Sequence, residues 1–411
     1  MSPRFLAAGL ALLALTRPAL AEPLTYDQAL ARAAASAPTL GAADLRIQAA
    51  RSVSRAAGAW PDPQLKVGID NYPISGPMAG RFGADQMTMT TVGVMQQFPN
   101  GAQRRAEVSG AQAEIAMAEA QRAMTAREVR LATALAWLDL YYAQTRLAAL
   151  DAVLSEIEPL WRSAPSGVAA GADRPAMALA PIKQRAALQD QRDELAAAAA
   201  RAQAELARWT GDAAPAVAGP PPAPILNPAV LRAGLEGHPN LRAYASARSK
   251  AQSDVDLAKA AKRPDWAVEA SYGRRDPMFG DMVSAGVTVR LRLFAGRRQD
   301  PLIAARTADA ARVGVEAEVA RRALRAGLEA DLADHLMHHE QWMRTHDVVL
   351  PAARQQADLE TASYGAGRAG LSDVLQAFTD LVEARLTTLE REAAVARDAV
   401  RITLTYGADA P

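Results

Sequence analysis

The sequence predicts a mainly α-helical chain with a small β part, in which one helix–strand–strand–long helix–helix unit is used twice. Three observations carry this. From Ala102 to Glu158 there is no proline and one glycine, Gly110, a run far longer than an ordinary globular helix. Two pairs of short β-like runs, bounded by proline and glycine, interrupt the helical pattern. The order of these features then recurs. Aligning Gly101 with Gly296 and Gly171 with Gly367 gives offsets of about 195 residues, and Trp209-Thr210-Gly211 then falls on Thr405-Tyr406-Gly407.

The 411 residues are 50% hydrophobic and 22% charged with a net charge of +1, which gives no reason to expect nucleic acid as a partner. Abundant alanine and only 5% aromatics favour thin, closely packed helices. Cysteine is absent, so disulfides, thiolate metal sites, cysteine nucleophiles and a lipid-modified N-terminal cysteine are excluded. There is no P-loop, G-x-S-x-G or dinucleotide fingerprint, so neither enzyme activity nor a cofactor is expected. Residues 1–21 read as an export signal: Arg4, an apolar run from Phe5 to Leu15, and Ala19-Leu20-Ala21 as the cleavage site. No later stretch approaches 18 continuous apolar residues. Entry into a membrane would have to be by strands.

The first repeat is expected over 22–210 and the second over 227–411, joined by a proline-rich linker at 211–226. Thr25 is placed to cap a helix running to about Gly58, and Pro61 and Pro63 stop it. Strands are expected at about 64–71 and 87–98, then a turn at Pro99-Asn100-Gly101. The long helix follows, roughly 85–90 Å at 1.5 Å per residue, with a kink at Pro159. A hairpin tip at about 163–175 leads into a helix over Pro175–Trp209. In the second repeat, Asn227 and Pro228 open a helix to Lys262, strands follow at about 267–274 and 283–294, and Leu302 to Ser363 forms the long helix. The second tip, about 364–371, is rich in glycine. After it, Leu371, Val374, Leu375, Phe378, Leu381, Val382, Leu386 and Leu389 fall on one helical stripe. Ser372 and Asp373 in the first turn suit unpaired amides and the helix dipole.

In the last strand, Val283, Ala285, Val287, Val289, Leu291 and Leu293 alternate with Ser284, Gly286, Thr288, Arg290, Arg292 and Phe294. Apolar outside and polar inside is the pattern of a transmembrane barrel, with Arg290 and Arg292 then making the interior basic. Four strands cannot close one, so copies must associate. Two would give eight strands with a filled interior, and three would give twelve with room for a pore.

Pro61-Asp62 and Pro264-Asp265 after each first helix, the elbows at Gly101 and Gly296, and the Tyr364-x-x-Gly367 turn before a Val374-Leu375 helix add a further pattern. With them the chain resembles the TolC family of outer-membrane efflux channels over nearly its whole mature length. The resemblance implies a homotrimer with a twelve-stranded transmembrane β-barrel in the outer-membrane lipid. Antiparallel helical hairpins would continue it as an α-barrel in the periplasm. A periplasmic adaptor and an inner-membrane RND-type pump are the implied partners. The family's gate tyrosine, turn glycine and one member of its acidic constriction ring fall on Tyr364, Gly367 and Asp373. The second ring position is Gln376 and the usual gate arginine is Ala369, with Arg368 beside it, so the closing network departs from the pattern. Gly171, Gly367, Gly370 and Leu371 become the expected adaptor contacts. The GIDNYP…MTMTTVGVMQQFPNG region is similar to heavy-metal members of the CzcC and CusC type, which implies metal-cation cargo. The alternatives are a drug or polypeptide duct of the same family and, in another class, a periplasmic coiled-coil adaptor.

Two clusters bear on that cargo. Met87, Met89 and Met95 share a strand face opposite Val92 and Val94, where thioethers suit soft Cu(I) or Ag(I); ordinary barrel packing is the competing reading. His335 and His339, one helical turn apart, permit a divalent metal site, against a merely solvated helix face.

Overall fold

In a computed structural model of the chain, residues 23–169 and 179–407 are described. The export signal at 1–21, Gly171 and the rest of the first tip beyond residue 169 lie outside the described residues. The chain forms two units, one from residues up to 37, 127–228 and 329–405, the other from 38–126, 229–328 and the residues from 406.

Prolines decide where the shorter helices break. Thr25 and Gln28 form a reciprocal capping box (3.3 and 2.9 Å) that starts α1 (Tyr26–Ser36). The helix expected to continue to Gly58 stops there, because Pro38 forces Ala37 into an extended conformation, and α2 (Pro38–Ala56) starts afresh. The second repeat breaks the same way. Instead of one helix to Lys262 there are α5 (Pro228–Gly234), a 3₁₀ turn, and α6 (Pro239–Ala260), whose cap His238 accepts the Asn240 N–H through Nδ1 at 3.1 Å.

The long helices are longer than the sequence suggested. α3 (Gly101–Ala169) has 69 residues and runs on through Pro159, so 163–169 is helix where a turn was expected; at 1.5 Å per residue it extends about 104 Å. α4 (Leu179–Thr210) follows. α7 (Ala295–Arg344) begins before Leu302 and takes in Pro301. A π-helical turn at Thr345–Val349 then leads into α8 (Leu350–Gly365), and α9 (Leu371–Tyr406) ends the described chain. Pro351 has no N–H for the carbonyl of Asp347, and the wider turn absorbs that mismatch. The Thr345 hydroxyl donates to the carbonyls of Gln341 and Trp342 (3.0 and 2.9 Å). The 211–226 linker is pinned at Val217. Leu24 bridges Val217 in parallel, donating to the Ala216 carbonyl at 2.7 Å and accepting from Ala218 at 3.0 Å.

The unit made of α1, α4, α8, α9 and the later parts of α3 and α7 holds two apolar clusters. One gathers Leu150, Val153, Ile157 and Trp161 with Leu188, Leu195 and the Leu371–Leu386 stripe of α9. The other surrounds Trp137, whose indole donates to the Leu24 carbonyl at 2.9 Å. The other unit carries the sheet: β1 (Gln64–Asp70), β2 (Met89–Phe98), β3 (Asp265–Arg274) and β4 (Met282–Arg290), antiparallel in the order β1-β2-β3-β4. Residues 291–294 are not part of β4 as expected. Arg292 turns back onto Asp265 at 2.9 Å, and that carboxylate also accepts from Asn100 at the elbow.

Candidate functional site

At the second tip, α8 ends in a Schellman motif. Arg368 N donates to the Ser363 carbonyl (2.8 Å) and Gly367 N to that of Tyr364 (2.9 Å), with Gly367 at φ +71°. A side chain at that φ is strained, which is why glycine stands there. α9 then starts with Gly370 N donating to Asp373 Oδ2 at 3.0 Å. Asp373 therefore serves a helix start while its side chain stays exposed. Gln376 is also exposed and donates to Asp380 Oδ1 at 2.8 Å. Asp373, Gln376 and Asp380 lie at i, i+3 and i+7, away from the buried stripe. Asp380 was missed in the sequence, although that spacing marks it.

The other tip residues separate into packed and free. Tyr364 is half-buried against the apolar cluster that also holds Leu371. Arg368 is exposed and, among the described residues, makes no ion pair with Asp373. Behind the tip, Gln184 pins α4 to α9. It donates to the Leu375 carbonyl (2.5 Å) and the Thr379 hydroxyl (2.6 Å) and accepts from the Trp161 indole (3.2 Å).

The sheet has two chemically distinct faces, because opposed residues share a side. On one, Leu65, Val67, Ile69, Val92, Val94, Val268, Val283, Val287 and Val289 all stand exposed, Val283 by 79%. Aromatic rings bound this face. Phe98 stacks on Trp266 at 4.3 Å and meets Trp60 edge-on at 5.1 Å, and Tyr72 lies 6.3 Å from Phe82 at the loop end. An apolar band between aromatic girdles is what a bilayer selects. The other face carries Lys66, Asp70, Thr91, Gln97, Glu269, Ser271, Ser284, Thr288 and Arg290. Met89 and Met95 lie on it as expected, whereas Met87 falls before β2 begins, and Arg292 lies beyond the end of β4.

His335 and His339 on α7 have ring centroids 6.4 Å apart, and the row continues through Trp342 to His346. Burial holds the His335 pKa below the usual histidine value, and its Nδ1 lacks a partner. His338 instead bonds the buried Asp398 at 2.6 Å. Among the described residues no three His, Cys, Asp or Glu side chains converge as a metal site, so the pair stands without further ligands of those types. No described helix is long and apolar enough to cross a membrane.

Residues 29–211 and 230–408 match the profile of a family described as outer membrane efflux protein. No curated protein matches the sequence. Solved structures do. The CmeC outer membrane channel of Campylobacter jejuni gives a TM-score of 0.77 at 11% identity, over 93% of this chain and 85% of its own. CusC, described with transmembrane channel formation, gives 0.78 at 14%, over 93% and 92%. The outer membrane protein VceC of Vibrio cholerae gives 0.75 at 16%, over 93% and 96%. At such identities the likeness is one of fold.

Proposed function

Because this chain belongs to the outer membrane efflux protein family, whose members are transport channels rather than enzymes, we propose that it is the outer-membrane duct of a tripartite export system. It works as a homotrimer with a periplasmic adaptor and an RND-type pump. The observation that carries the reading is the exposed apolar sheet face with two open edges, β1 and β4. In lipid those edges leave backbone groups unpaired, so further copies must supply partners, and three copies close twelve strands around a pore. The second tip, with Tyr364, Gly367, Asp373 and Gln376, forms the periplasmic mouth. Three copies of Asp373 around a narrow opening attract cations.

For cargo we favour heavy-metal cations. The exposed carboxylates of α9 and the methionines on the polar sheet face support that choice over drugs or polypeptides. Gene disruption followed by susceptibility profiling tests it. Hypersensitivity to metal salts is expected, and hypersensitivity to drugs alone would reassign the cargo. Recovery of the protein as a water-soluble periplasmic monomer would overturn the channel and favour an adaptor.

A further inference from the structure

On the polar face of the sheet, the apolar side chains larger than alanine are Met89, Met95 and Met282. The opposite face uses Leu, Ile, Val, Phe, Trp and Tyr, and no methionine. A need for bulk alone would draw on the same residues on both sides. What methionine adds is a flexible thioether, a soft donor.

Two of the three border the same glycine. Gly273 stands directly opposite Met282, and a Cβ at Gly273 would lie 2.5 Å from the Met89 sulfur. The glycine thus leaves open the seat that the Met89 thioether fills. Side chains directly opposed across strands start about 4.5–5.5 Å apart, within the span of Met282's unbranched chain. Asp70 pairs directly with Met89 and brings a carboxylate to the same row.

We propose that Met89 and Met282, gathered over Gly273, form a binding site for a soft monovalent d¹⁰ cation, Cu(I) or Ag(I), on the polar face of the sheet. The site rests on the channel reading only for the claim that this face meets the cargo. Binding itself does not depend on transport. Zn(II) prefers nitrogen, thiolate and carboxylate ligands and is not held here.

Silver(I) is the redox-stable probe. Binding of silver nitrate to the purified, detergent-solubilised protein is measured by calorimetry in chloride-free buffer, beside single-channel conductance in planar bilayers. The Met89→Leu/Met282→Leu double variant, close in volume, should bind silver at least tenfold more weakly than the unaltered protein, while Met95→Leu leaves binding at this site intact. Gly273→Ala keeps every sulfur but displaces the Met89 thioether, so it should also weaken binding. It provides the readout if the double variant does not assemble. Unchanged silver affinity in the double variant or in Gly273→Ala, or equally tight Zn(II), overturns the site. Silver binding without conductance would overturn the channel and leave the site standing.

Discussion

Asp373 carries two roles that a single substitution separates. Its carboxylate accepts the Gly370 N–H at the start of α9, and its charge stands in solvent. Asp373→Asn keeps an acceptor for the amide and removes the charge, so the hairpin should persist. Block of single-channel current by multivalent cations from the periplasmic side should weaken; unchanged block would remove Asp373 from the constriction. Tyr26 offers a test of the other end of the same unit. Burial first, then the charge of Asp27, pushes its hydroxyl up from 10.0 to about 12. The neutral form is thus favoured by the fold, and the stability it contributes is complete below pH 10 and lost as pH rises towards about 12. Discounted for its exposed edge, that amounts to about 1–2 kcal/mol. Tyr26→Phe keeps the edge-on contact with Trp137 and should move alkaline unfolding, followed by circular dichroism, to higher pH. A shift to lower pH would contradict the assignment. At this scale the sequence singled out Asp373, Gly367 and Met89 by position and type. Asp380 was legible in the helical spacing and passed over, whereas Met282 and Gln184 emerged only where neighbouring strands and helices brought them to partners.

The strands make the sharpest prediction among the elements. Val287 and Thr288 are neighbours on β4 that point to opposite faces. Val287→Lys puts a charge on the apolar face, at a cost of about 2–4 kcal/mol near a bilayer midplane. It should sharply reduce the heat-modifiable oligomer recovered in outer-membrane fractions. Thr288→Lys should be tolerated. Equal recovery of the two would mean that this face does not meet lipid. The alternation that separates them was legible in the sequence, because side chains in a strand repeat every two residues. Helix ends were less so. The expected helices ran through Pro38, Pro239 and Pro351, and whether a proline ends a helix, widens it into a π turn or passes within it as Pro159 does depends on packing around it.

For the whole molecule, the question is what meets β1 and β4. The chain has no cysteine, so an engineered pair reports cleanly. Lys66→Cys with either Ser284→Cys or Thr288→Cys should give covalent dimers and trimers on oxidation in the outer membrane, ending at three copies. A ladder ending at two, or monomer alone, would contradict the trimer. The sequence by itself determined the order of helices and strands, the two faces of the sheet and the glycine turn before α9, because each follows from periodicity or backbone chemistry within a few residues. Only the tertiary structure decided which residues stand side by side. It seated Met89 over Gly273, set Met282 opposite that glycine, drew Arg292 back to Asp265 and tied Leu24 to Val217. Those pairings join segments up to some 190 residues apart, and register between such distant segments is set by the packed whole rather than by any local signal.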